Sequence, residues 1–342
     1  MTVSGYNDST VGITSIGYYI PDDVITSREI SRISGIPLEI LTDNFGIEQK
    51  HVAGCDEHPA SMAENAVKSA LENGHVDPDE IDIIAYCGAG YYDYQFWSPS
   101  ATLQHRIGAR NAFTFDIRTA CNGGNIALSI CNNLLHADSS RRRALIVSSD
   151  RLSTVMDYRV PHNLPFFALG DGAVAAILSR DDPGNTLLAY DGISDGMCGD
   201  YVRAPYGGTR GSNDEHSGSG ARQILVDPTK ALAEVAPEVF LGNFTRVIRN
   251  AVARSGYEAS DIDWVLTNQI KKTRVITILE SLGLTEKNTR RTMREYGSLG
   301  PGDTLFALAL HQQEGLINPG DLVVLASSGI GFTWGAQVVR FL

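Results

Sequence analysis

The feature that most constrains this chain is that it repeats itself. An amphipathic stretch, Ser61 to Asn73, is followed by "GHVDPDEID" and a short apolar run, Ile83 to Cys87. Much later, Val247 to Ser255, "GYEASDID" and Trp264 to Thr267 give the same helix, turn and strand with a one-residue slip. The segment around Cys121 and its following helix is echoed by "YGSLGPGDTLFALALHQQEGLI", the strand Ala144 to Ser149 by Leu322 to Ser327, and "GAVAAILS" from Gly172 by "GAQVVRFL" from Gly335. Self-similarity on this scale points to duplication of a folding unit. Two alternating β/α units with apolar sheets predict a duplicated α/β unit in five layers, αβαβα, with halves at 1–180 and 181–342. Val11 to Tyr19 alternates like a strand, Ser27 is the expected N-cap of the next helix, and Gly196 to Gly220 reads as a long surface insertion.

One stretch carries chemistry. In "DIRTACNGGNI", Asp116 to Ile126, the run Ala112 to Ile117 leads into a turn of small residues and Ala127 to Leu135 leaves it as an amphipathic helix. That is strand, turn and helix with Cys121 at the corner. A thiol near a helix N-terminus meets unpaired N–H groups and the positive end of the dipole, both of which favour the thiolate. Cys121 is therefore a candidate nucleophile. Taken alone, the stretch favours a small buried hydrophobe, which is what most unpaired cysteines are.

Composition limits the partners. A net charge of -12 argues against nucleic acid or an anionic membrane, since phosphate binding relies on a basic face. Five cysteines in no disulfide or metal spacing suit a reducing cytoplasm, and no apolar run approaches the length of a membrane span. None of the eight histidines has metal-ligand spacing, so no metal is expected.

Six phrases in order, "DIRTACNGG", "LIVSSDRLS", "FALGDGAVAAIL", "DWVLTNQ", "REYGSLGPGD" and "SSGIGFTWGAQVVRF", resemble the thiolase superfamily and within it the β-ketoacyl-synthase III branch, over essentially the whole chain. The resemblance implies the thiolase fold, a homodimer, and acyl transfer from a thioester onto Cys121 and then to an acceptor. It places the oxyanion hole at the backbone N–H groups of Cys121 and Ile330, in "GIGFTWG".

The chain departs from condensing relatives where they hold the malonyl carbonyl with a His and an Asn; here Asn268 and Ser298 stand in those places. At about 3 kcal/mol per lost oxyanion-type donor, decarboxylative condensation is disfavoured while acyl-enzyme formation is not. A subgroup that transfers acyl groups to hydroxyls or amines in natural-product pathways uses a "GH…D" segment, and "YGSLGPGD" is similar to it, with Asp303 retained and Ser298 in place of the His. Asp303 reads equally as a base and as the N-cap of "TLFALALHQQ". His162, in "VPHNLPFF", is a reserve acid or base.

For the donor, Ile40 and Asn44 replace the Trp and Arg that clamp coenzyme A in relatives, which favours an acyl carrier protein. Its acidic surface needs a basic rim, for which Lys271, Lys272 and Arg274, or Arg290, Arg291 and Arg294, are candidates. No permanently bound cofactor is expected beyond the phosphopantetheine thioester of carrier protein or coenzyme A. The rings of Tyr91 to Trp97, and Phe166 and Phe167, either bind the acyl group or fill an interface. The expectation is a cytoplasmic acyltransferase taking a small-molecule acceptor. Its rivals are a decarboxylating ketosynthase and a non-catalytic partner subunit.

Overall fold

The computed structural model describes residues 10–89, 92–180, 184–205, 209, 223–226 and 237–342. In the first half the strands are β1 (Val11–Tyr19), β2 (Val24–Thr26), β3 (Gln49–His51), β4 (Ile83–Cys87), β5 (Phe113–Ile117), β6 (Arg143–Arg151) and β7 (Asp171–Arg180). Its helices are α1 (Ser27–Ser34), α2 (Pro59–Gly74), α3 (Pro99–Ile107) and α4 (Gly123–Ala137). The second half has β8 (Asn185–Ser194), β9 (Val202–Arg203), β10 (Leu225–Val226), β11 (Trp264–Thr267), β12 (Leu322–Gly329) and β13 (Thr333–Phe341). Around these pack α5 (Pro237–Arg254), α6 (Lys272–Ser281), α7 (Met293–Tyr296) and α8 (Asp303–Gln313).

The duplication is visible in the pairing. One sheet runs β1-β7-β6-β4-β5 and the other β8-β13-β12-β11. In each, a parallel pair (β4 with β6, β11 with β12) is followed by two antiparallel pairings, so the first four strands of one sheet superpose in order on the other. The exception is β5, the strand that delivers Cys121; it has no counterpart among the described strands of the second sheet.

Burial then fixes five layers. The apolar faces of α2 and α3 cover one side of the first sheet, with Met62, Val67 and Leu103 against Ile84, Leu145 and Ile177. Those of α5 and α6 cover the far side of the second, with Phe244, Ile248 and Ile278 against Val265, Val324 and Trp334. Between the sheets lie α4 and α8, where Leu128, Leu135, Phe306 and Leu308 meet Ile146, Leu178, Leu266 and Leu325. Every residue of α8 from Asp303 to His311 is buried, as a helix must be that is covered on all sides. Cys121, just before the amino end of α4, lines a cavity, and Asp303 at the amino end of α8 holds Ser298, which lines the same one.

Two local readings change. Thr26, not Ser27, caps α1: its hydroxyl accepts the Glu29 N–H while Glu29 takes the Thr26 N–H in return. The Ser27 hydroxyl instead donates to the Ile47 carbonyl. The insertion at Gly196–Gly220 lies mostly outside the described residues. No described helix is long and apolar enough to cross a membrane.

Phe306 is fully buried in α8 and meets Tyr18 and Tyr296 edge-on at centroid distances of 5.1 and 5.0 Å. Phe306→Ala is expected to cost about 3–5 kcal/mol of folding free energy, measured by denaturant unfolding.

Candidate active site

Cys121 sits at a strained elbow. Leaving β5, the chain bends at Ala120, whose φ of +47° is one L-residues rarely take, and Cys121 follows in a short 3-10 turn that runs into α4. Opposite, the turn between β12 and β13 presses against the elbow: a Cβ on Gly329 would lie 2.5 Å from the Thr119 carbonyl oxygen and 3.1 Å from the Asn122 nitrogen. Glycine is required there by this approach. The Ser327 hydroxyl donates to the Cys121 carbonyl at 2.7 Å, tying the elbow to β12. Cys121 and Ile330 thereby line one cavity of about 310 Å³, together with Asn268, Ser298, Phe166, Lys271 and Arg274.

The electrostatics run against the thiolate expected from the helix dipole. Burial, with the charges of Asp303 and Asp150 added, pushes the Cys121 thiol up to about 12. At neutral pH the group is therefore a thiol.

Asp303 is the hub of the opposite wall. It is the first residue of α8, with Gly302 in the N-cap place, so the capping alternative does not hold in its simple form. Its carboxylate accepts three hydrogen bonds, from the Gln269 N–H (2.8 Å), the Leu299 N–H (2.6 Å) and the Ser298 hydroxyl (2.8 Å). Burial nevertheless outweighs those donors and pushes it up to about 7. Ser298 lies between this carboxylate and the cavity. Its hydroxyl donates to Asp303 and accepts the Gly300 N–H at 3.2 Å, so a lone pair, not a proton, remains for a ligand.

Asn268 is tied differently. Its amide nitrogen donates to the Ser328 carbonyl (3.1 Å) and its oxygen accepts the Ser328 N–H (3.0 Å), which leaves one N–H for the cavity. No described group of three or more His, Cys, Asp or Glu side chains clusters as a metal site would.

Several expected contributors stand elsewhere. His162 is exposed and outside the cavity, because the 3-10 segment Pro161–Phe166 turns it to solvent while Phe166 turns inward. Phe167 is fully buried in a separate cluster, edge-on to Tyr158, and does not reach the cavity. Trp97 packs on Tyr94 and is likewise absent from the lining; Tyr91 lies outside the described residues. Lys271 and Arg274 lie on the rings of Phe45 and Phe240, at 5.6 and 4.8 Å, whereas Lys272 is half-buried beside them and not in the lining. The Arg290 group is structural: Arg290 pairs with Glu314, Arg294 with Glu48, and Arg291 donates to the Phe45 carbonyl. Ile40 is half-buried and Asn44 exposed on the π-helical turn Ile40–Phe45. Sequence reasoning passed over Gln269, which sits next to Asn268 and locks Asp303 and Met293. It also passed over Phe45 and Phe240, which come from distant segments.

The layered fold, with a cysteine elbow and a glycine turn facing it, defines the thiolase class. Two family models match: 3-oxoacyl-[acyl-carrier-protein] synthase III over residues 115–196 and its C-terminal part over 252–341. The chain belongs to that family and is an acyltransferase of the ketoacyl-synthase III type. It is 29% identical to the β-ketoacyl-[acyl-carrier-protein] synthase III of Thermosynechococcus vestitus across 100% of both chains. Its fold matches the priming β-ketosynthase of the R1128 polyketide biosynthetic pathway with a TM-score of 0.87 at 22% identity, covering 100% of this chain and 98% of that one. For 3-oxoacyl-[acyl-carrier-protein] synthase III of Aquifex aeolicus the TM-score is 0.83 at 24% identity, with 97% and 100% covered.

If the Asp303 charge holds the thiol up, Asp303→Asn lowers the Cys121 pKa. Iodoacetamide labelling of Cys121 between pH 7 and 10, followed by peptide mass, is expected to be faster in the variant at each pH. An unchanged profile would show that the thiol does not feel that carboxylate.

Proposed function

We propose that this acyltransferase moves an acyl group from a carrier-protein or coenzyme A thioester, through a Cys121 thioester, to a hydroxyl or amine acceptor in secondary metabolism. In this reading the N–H groups of Cys121 and Ile330 hold the oxyanion, and Asp303 is the terminal base. The observation that carries it is the direction of the hydrogen bonds: Ser298 gives its proton to Asp303 and offers a lone pair to the cavity. An acceptor O–H or N–H bound there passes its proton to Ser298 as Ser298 passes its own to Asp303. A carboxyl held near pH 7 suits a base at neutral pH. The same wiring suits an enolate poorly, because that anion needs donors and Ser298 has none to spare. Decarboxylative condensation is therefore the second reading, and a non-catalytic subunit the third.

Lys271 and Arg274, resting on rings at the cavity wall, suit the phosphate end of the donor or an acidic carrier, with Lys272 beside them. A homodimer is supported by β5, which ends its sheet with Phe113 57% exposed, and by the neighbouring Tyr94 and Phe96, 71% and fully exposed. Trp97 then belongs to that interface. The division at 180/181 belongs to the same reading, each main sheet drawing its strands from one side of it. A cytoplasmic setting fits this substrate class.

Intact-mass analysis with acyl thioesters is expected to show an adduct that is absent from Cys121→Ala; an adduct that persists would remove the nucleophile. Ser298→Ala is expected to keep the adduct and slow transfer to an oxygen acceptor by about a hundredfold. Carbon dioxide released from malonyl thioesters with carbon–carbon bond formation would instead favour the condensing reading.

A further inference from the structure

Lys50, in β3, is fully buried, and removing an ammonium from water is costly enough to require a reason. Its Nζ donates to the Leu169 carbonyl and stands 5.0 Å from the centroid of the Tyr158 ring. Burial draws its pKa down to about 7 against the opposing charge of Asp171. Neither Tyr158 nor Asp171 belongs to the machinery described above. Leu169, however, does touch it.

Leu169 lines the Cys121 cavity and forms an isolated parallel bridge with Ser298. The Ser298 N–H donates to the Ala168 carbonyl at 2.8 Å, and the Gly170 N–H donates to the Ser298 carbonyl at 2.9 Å. In such a bridge the carbonyl of the middle residue, Leu169, points away from its partner strand. That is the carbonyl Lys50 holds. The strap 168–170 is thus gripped on one edge by Ser298 and on the other by Lys50. The contact is close on the remaining side too: Gly297, at φ +77°, would place a Cβ 2.6 Å from the Lys50 Cβ. Segments around residues 50, 169 and 297 meet at van der Waals distance beside the Ser298 backbone.

We propose that Lys50 is a positioning residue for the transfer half-reaction: by clasping the Leu169 carbonyl it fixes the strap that aims the Ser298 hydroxyl between Asp303 and the acceptor. It has no part in forming the Cys121 thioester, whose groups lie on the elbow and the Gly329 turn. This role rests on the proton relay proposed above.

The test compares the two half-reactions in Lys50→Met, Lys50→Arg and Ser298→Ala, reading acyl-enzyme formation by intact mass and its decay on adding acceptor. Met keeps the length and apolar stem without a donor, so the melting temperature is expected to hold. Acylation should stay at the wild-type rate while transfer slows about ten- to a hundredfold, the scale of a small misplacement of a reacting group. Arg, which keeps a cationic donor, should retain most of the transfer rate. Equal losses in Met and Arg, acylation falling in step with transfer, or a collapse of stability would make Lys50 merely structural and overturn the proposal. Transfer lost in Ser298→Ala but intact in Lys50→Met would sink the positioning role alone. Transfer intact in Ser298→Ala would sink the relay and the role of Lys50 with it.

Discussion

The site depends on one buried carboxylate. Asp303 gathers the Gln269 N–H, the Leu299 N–H and the Ser298 hydroxyl, and so joins the end of β11, the turn before α8 and α8 itself. Without an anion or a strong acceptor there, two backbone N–H groups and one hydroxyl are left unpaired in the interior, at a cost of about 1–3 kcal/mol each. Three donors are still not enough to restore the ordinary acidity of the group, since burial wins. The balance leaves a carboxyl that binds and releases a proton near neutrality, within a frame that does not need to move when it does.

The opposing wall is built on steric rather than electrostatic terms. A left-handed alanine, a glycine turn pressed against the Thr119 carbonyl, and a serine hydroxyl on the Cys121 carbonyl hold the sulfur in place. Burial holds the Cys121 thiol up, the charges of Asp303 and Asp150 add to it, and only a backbone hydrogen bond works the other way. The two walls share one cause: burial holds the thiol on one and the carboxyl on the other above their ordinary pKa values.

Much of this was legible in the sequence, for identifiable reasons. Apolar runs bounded by turns placed β1, β4, β11 and the Cys121 corner, and the repeated phrases anticipated the matching strand orders, because hydrophobic period and turn chemistry are local. The five layers followed from duplication. Ser298, Asp303 and Ile330 were singled out by the family resemblance, and the structure brings Ser298, Gly329 and Ile330 to the cavity that Cys121 lines. What escaped depends on distance or on balance. Phe45, Phe240 and Val202 reach the cavity from separate segments, His162 is turned away by a local 3-10 twist, and Thr26 displaces Ser27 as cap because Ser27 finds Ile47 instead. The acidity of Cys121 was misjudged because a helix terminus is visible in sequence while desolvation and remote carboxylates are not.

The amide clasp of Asn268 limits what can stand at that position. Both polar atoms of that side chain bond to the backbone of Ser328, which sits where β12 runs into the turn at Gly329 and Ile330. An imidazole at this position cannot reproduce the paired donor and acceptor of a carboxamide. Replacing Asn268 with His would thus strip partners from the main chain beside the Cys121 pocket. The end of β12 is thus fitted to a carboxamide at 268, and a ring there would call for compensating change in the strand itself.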